Sequence, residues 1–125
     1  MKSLAAACIA LALLGSGTAH AAAGAGHGPS SSWNEMQKFE YYLGDLAGAL
    51  NVCRMYGMYA EMRELASLTP YGKIGMQAWA PYDDIRGGVC GKVRGAAESV
   101  LGDKDKLLDY LRAKYTCGSG DCVER

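Results

Sequence analysis

One stretch limits what this chain can fold into. From Trp33 to Gly57, WNEMQKFEYYLGDLAGALNVCRMYG, the residues Met36, Phe39, Leu43, Leu46, Leu50 and Cys53 recur at alternating spacings of three and four. A helix turns once in about 3.6 residues, so this spacing draws one apolar stripe down one helix. No other segment is as long and as regular. The same stretch carries a Gly44-x-x-x-Gly48 pair and Cys53.

The chain of 125 residues is enough for one domain. Its start reads as a secretory signal. Lys2 supplies the positive charge, Leu4 to Leu14 the apolar run, and Ala19-His20-Ala21 the small-x-small cleavage site. The run is shorter than the roughly 20 residues a membrane span needs. Ala21-Ala22-Ala23 offers a second cut, and Cys8 lies inside the run, where no lipid-attachment cysteine belongs. The expected division is a signal peptide over 1–21, a flexible linker over 22–32 and a helical domain over 33–125 with a disulfide-looped C-terminal tail. The short Ala/Leu-rich signal has a bacterial look and implies a periplasmic or secreted protein.

Thirteen basic side chains balance thirteen acidic ones, and cleavage removes Lys2. A nucleic-acid binder relies on clustered Lys and Arg, so that class is disfavoured. Without Cys8, four cysteines remain: Cys53, Cys90, Cys117 and Cys122. An even number in an exported chain implies two disulfides. The Gly-Ser-Gly-Asp segment between Cys117 and Cys122 suits a local loop, which favours Cys117–Cys122 with Cys53–Cys90. Pairings that tie Cys53 and Cys90 to the two tail cysteines stay open.

Ser31 or Ser32 is placed to cap the first helix, with Glu35 completing a capping box on Ser32. Gly57 is the expected helix end, and Met58 to Leu68 the next helix. Thr69-Pro70 is a helix start. Ile74, Ala78, Tyr82, Ile85, Val89, Val93 and Val100 continue a helical pattern. Pro81 should kink or break it, leaving Asp83 and Asp84 at a new N-terminus. Asp103 should cap a last helix carrying Leu107, Leu108, Leu111 and Tyr115. Sustained two-residue alternation is absent, so the fold class is all-α, a small disulfide-stapled bundle of about four helices.

Chemistry-bearing motifs mostly have bland explanations. RGGVCGKVRG, Arg86 to Gly95, lacks both the first glycine and the Ser/Thr of a phosphate-binding loop. Its Gly87, Gly91 and Gly95 form a bare helix face expected to pack on Gly44 and Gly48. Met55, Met58 and Met62 are permissive for Cu(I), but methionines at helical spacing usually fill cores. Both histidines, His20 and His27, precede the predicted folded region. Histidine-based catalytic or zinc sites are therefore disfavoured there, and no Cys-x-x-Cys redox motif occurs. No cofactor or metal is implied. Asp45, between glycine and leucine, is a candidate buried carboxylate paired to Arg86, with Arg54 or Arg94 as alternatives. Eight tyrosines and two tryptophans accompany one phenylalanine. Such rings suit interfaces, and Tyr56, Tyr59 and Tyr71 are the candidate interaction surface.

The segments LAGALNVCRMYG, MRELASLTP and AWAPYDDIRGGVC, in that order, resemble an uncharacterised family of small exported alphaproteobacterial helical proteins. There a Leu-Gly-x-Leu helix precedes an arginine and a cysteine, and a second cysteine follows a later aromatic-rich helix. Here Cys53 precedes Arg54 instead. The resemblance covers roughly 42–90. It implies export and a helical fold, supports the Cys53–Cys90 pairing and implies no activity. The functional expectation is a non-catalytic periplasmic interaction module with a protein partner in the cell envelope, such as an adaptor, chaperone-like or inhibitor/immunity-type protein. A binder of a small apolar or lipid ligand between helices is the alternative, and a carboxylate-based enzyme ranks last.

Overall fold

The computed structural model describes residues 28–85, 88–118 and 120–125. The expected signal peptide, most of the expected linker, Arg86 and Gly87 lie outside the described residues. Five helices and one small hairpin follow in order: α1 (Glu35–Val52), α2 (Tyr56–Ala66), α3 (Pro70–Gln77), α4 (Val89–Leu101), α5 (Lys104–Lys114), β1 (Tyr115–Cys117) and β2 (Cys122–Glu124).

α1 is the axis of the fold. Every residue from Phe39 to Leu50 is buried, not only the apolar stripe. Apart from Asp45, LGDLAGAL is small or apolar on all sides, and a helix without a broad polar face has to be enclosed by others. Its start differs from the expected capping box on Ser32. Asn34 is the cap: its side chain accepts from the Gln37 backbone, and Gln37 accepts from the Asn34 backbone, both at 2.9 Å. Gln37 also donates to the Tyr71 hydroxyl at 2.9 Å, tying the cap to α3.

The end of α1 differs as well. The chain turns after Val52, with Arg54 in the left-handed region at φ 62°. Gly57 was the expected terminator, but it lies within α2 with nothing near the position of a Cβ. The turn comes early because Met55 N–H returns to Leu50 O at 2.9 Å, closing the helix one turn sooner. α2 then runs back along α1. Thr69 starts α3 as expected, its hydroxyl accepting from Tyr71 N–H ahead of Pro70 at the first position.

α3 runs parallel to α1. Tyr71 meets Gln37, Gly75 meets Tyr41 and Gly44, and Trp79 meets Gly48. The two backbones are in contact. A Cβ on Gly44 would stand 1.8 Å from the Gly72 carbonyl oxygen, and one on Gly75 would stand 2.3 Å from that of Tyr41. The expected glycine pairing is therefore corrected: Gly44 packs on α3 and Gly48 on the Trp79 side chain, while Gly91 and Gly95 on α4 are exposed, with open space where a Cβ would stand. Gly87 lies outside the described residues.

The pattern read through Pro81 is interrupted more widely than a kink. α3 stops at Gln77 and α4 begins only at Val89. Asp83 and Asp84 thus belong to the connecting segment rather than a helix start, and Asp84 accepts from Ile85 N–H instead. Asp103 stands at the start of α5, without a side-chain cap bond.

The disulfides pair Cys53 with Cys90 and Cys117 with Cys122. The first joins the end of α1 to α4 across 37 residues. The second spans five residues within the hairpin, where Cys117 and Cys122 face one another in register. By loop-closure entropy these are worth about 4 and about 2 kcal/mol respectively. The hairpin is the departure from an all-α chain. Each strand has three residues, too few to show alternation. Met62 is fully buried and Met55 and Met58 pack half-buried on the core, so these methionines fill space. No described helix is long and apolar enough to cross a membrane.

Two glycine substitutions separate the contact surfaces. Gly44→Ala drives a methyl into backbone and should cost about 3 kcal/mol or more, lowering the melting temperature by on the order of 10 °C. Gly95→Ala, on an exposed helix face, should raise stability by about 0.5–1 kcal/mol. Calorimetry of the two variants gives both signs.

Candidate functional site

Two polar arrangements and one cleft stand out. The first arrangement is centred on Glu40, which is completely buried. One carboxylate oxygen accepts from the Thr69 hydroxyl at 2.6 Å and the Tyr115 hydroxyl at 2.5 Å; the other accepts from Lys114 Nζ at 2.8 Å. Lys114 also donates to Tyr110 OH at 3.1 Å and lies near the faces of both tyrosine rings. Four elements meet here: α1, the start of α3, α5 and β1. A buried carboxylate is tolerated only when its acceptor positions are filled, and this one is held by three donors.

The surroundings hold the donors in their protonated forms. Burial by itself would depress the Lys114 ammonium, but the hydrogen bonds to Glu40 and Tyr110 and the Glu40 charge outweigh it, and its pKa is raised. Burial, then the Glu40 hydrogen bond and charge, raise the Tyr115 phenol. Such a saturated carboxylate is a fastening. It has no access to solvent through which to meet a substrate.

The second arrangement surrounds Asp45. Its carboxylate accepts from the Trp79 indole N–H at 2.6 Å, and both residues are buried. Burial, then the Asp45 charge, push the Tyr41 phenol up to about 12. Arg86, the expected partner, lies outside the described residues. Arg54 is exposed at the α1–α2 turn, and Arg94 pairs with Glu98 on the surface of α4. The described partner is an indole, recruited by the same close approach that sets Gly48 against Trp79.

The cleft lies where α1 and α3 end. It encloses about 410 Å³ and is lined by Gly48, Asn51, Tyr59, Met76, Gln77, Trp79, Ala80, Tyr82 and Asp83. Trp79 and Tyr82 meet edge to face with centroids 5.9 Å apart. The indole is fixed on one side by Gly48 and at its N–H by Asp45, so this wall is rigid before anything binds.

The three tyrosines expected to form one surface are separated. Tyr59 lines the cleft, and Tyr56, one turn earlier on the same helix, is 59% exposed. Tyr71 sits at the opposite end of α3, stacked edge-on against Trp33 and bonded to Gln37. Gln37 and Gly48, eleven residues apart on one helix, are separated by roughly 16 Å. Tyr71 therefore lies away from the cleft, and Tyr82 and Trp79 are the rings beside Tyr59. Glu61 and Glu64 face outward from α2 and pair with Lys104. No group of three potential metal-ligating side chains occurs among the described residues.

Glu40 went unnoticed in the sequence, although a signal exists. Met36, Glu40, Leu43, Ala47 and Leu50 are also spaced by four and three, so a carboxylate stands on a buried line of the helix. The cleft had no such signal, since its walls come from three separate segments.

The pKa directions set a pH dependence. Tyr41, Lys114 and Tyr115 all have folded values above their unfolded ones, so the folded state holds protons that the unfolded state releases. Their contribution is complete below about pH 10 and declines above it, for Tyr41 up to about pH 12. Urea melts between pH 8 and 12 should show this contribution constant to about pH 10 and falling above it, and Tyr115→Phe should flatten that fall. Glu40→Leu leaves Lys114 facing an apolar side chain and should cost about 3 kcal/mol at neutral pH.

No family model, curated protein or solved structure matches this chain.

Proposed function

We propose that this chain is a non-catalytic recognition module that works outside the cytoplasm, exported by residues 1–21, and that its contact surface is the cleft at the ends of α1 and α3. One observation carries the reading. Tyr59, Trp79 and Tyr82 gather around a preformed opening, with exposed Tyr56 beside it. Aromatic rings with polar tips, held rigid, are what binding surfaces use. The two disulfides fit an oxidising compartment. A cell-envelope partner remains the first reading. A small ligand is the second, favoured by a cleft volume within the range of about 300–1,000 Å³ typical of such sites. Two amides and a carboxylate in the lining favour a ligand with polar atoms over a purely lipid one.

Site-specific photocrosslinking in the native cell tests the surface. A benzoylphenylalanine at Tyr56 or Tyr82 should give a specific adduct, read by mass spectrometry. The same group at Lys92 or Gly95, on the exposed face of α4, should give none. Equal yields from both faces, or adducts from α4 alone, would count against the cleft.

A further inference from the structure

We propose that the cleft selects an organic cation: an ammonium group, either free as a small quaternary ammonium compound or carried by a lysine side chain of the partner. This rests on the cleft being the recognition surface and adds the chemistry that it recognises.

The field at the cleft comes first from the backbone. α1 and α3 are parallel, so both direct their C-terminal ends to this place: Gly48 and Asn51 belong to the last turns of α1, Met76 and Gln77 to the last turn of α3. Each helix end carries about half a negative charge. Lysine or arginine in the last turn commonly offsets it, and neither α1 nor α3 has one. α2 begins at the same end and its positive terminus offsets about one of the two. Asp83 then adds a full, exposed carboxylate. Helix ends and Asp83 together come to about one and a half negative charges around the opening, while Arg54, exposed in the α1–α2 turn at the same end, is not one of the lining residues. No lysine or arginine occurs among the described lining residues.

The walls suit the same kind of guest. The faces of tyrosine and tryptophan rings are negative and attract cations, and clusters of rings are how quaternary ammonium groups are commonly held. Tyr59 and Tyr82 are half-buried at the cleft, with Trp79 as its floor. Asn51 and Gln77 supply amide oxygens as further acceptors. An anion would meet this field without a described counter-charge, and a neutral apolar guest would gain nothing from it.

Choline and its neutral isostere 3,3-dimethylbutan-1-ol distinguish charge from shape. Each would be titrated into the disulfide-intact protein while the Trp79 indole and the Asn51 and Gln77 side-chain amides are followed by NMR. Choline should shift these signals saturably and bind about tenfold or more tightly than the isostere. Asp83→Asn and Tyr82→Leu should each weaken it about threefold or more, with the helical circular dichroism unchanged. Nα-acetyl-lysine methylamide supplies the second arm. Tighter binding than choline assigns the cation to a partner's side chain, and the reverse assigns it to a free compound. Equal binding of choline and isostere, or an unchanged affinity in Asp83→Asn, overturns the inference. Silence of the cleft signals toward every cation also overturns it, while crosslinks from Tyr56 and Tyr82 would leave the recognition surface standing. Loss of both removes the surface too.

Discussion

The fold depends on two helix backbones touching. Gly44 and Gly75 leave α1 and α3 no side chains to hold them apart, and Gly72 is pressed between α1 and the Ala66 carbonyl at the end of α2. Contact at that distance gains dispersion and Cα–H···O contacts. It also decides geometry elsewhere. Because α3 lies so close, Trp79 can lie across Gly48 and reach Asp45. A larger residue at Gly44 would displace α3 as a whole and with it the floor of the cleft.

Glu40 fastens the other end of the molecule. The C-terminal hairpin has three residues per strand, far too little to be stable alone. Tyr115 gives it an anchor, with its ring in the core and its hydroxyl on the Glu40 carboxylate. Lys114 adds a charge-assisted bond from the end of α5. A buried ion pair of this kind contributes little net stability against apolar side chains of equal volume. What it contributes here is position: donors from the start of α3, the end of α5 and β1 converge on the one carboxylate of Glu40. The Cys117–Cys122 bond then closes the hairpin locally.

The parts legible in the sequence were those governed by local rules. The stripe of α1, the Thr69-Pro70 start and the two-disulfide count all follow from spacing and residue type. The turn at Cys53–Met55 was not legible, because a non-glycine residue, Arg54, takes the left-handed conformation there, while nearby Gly57 was the more obvious terminator. The partner of the Gly44 face is not legible in the sequence either. Spacing by four marks a bare face but does not say whether it is covered, and Gly91 and Gly95 are exposed. The proposed tyrosine surface grouped residues near in sequence, whereas the parallel course of α3 carries Tyr71 to one end and Trp79 to the other.

That parallel course has an electrostatic consequence. Neighbouring helices joined by short turns usually alternate, so that the positive end of one meets the negative end of the next. Here α2 returns the chain, and α3, packed on α1 backbone to backbone through the bare faces of Gly44 and Gly75, repeats the direction of α1. Like ends then lie side by side, which is unfavourable by a few tenths of a kcal/mol to about 1 kcal/mol at each end. At the N-terminal end, polar groups respond: Glu35 lies in the first turn of α1, Asn34 and Gln37 satisfy its free N–H groups, and the Thr69 hydroxyl meets those of α3. At the C-terminal end, no basic residue responds from either helix, and the segment that follows α3 brings Asp83 instead. Among the described lining residues of the cleft, the asymmetry sets Asp83 and two helix C-terminal ends beside three aromatic rings with no lysine or arginine. The cost falls at the end that carries the cleft, and the proposed cation site rests on that arrangement.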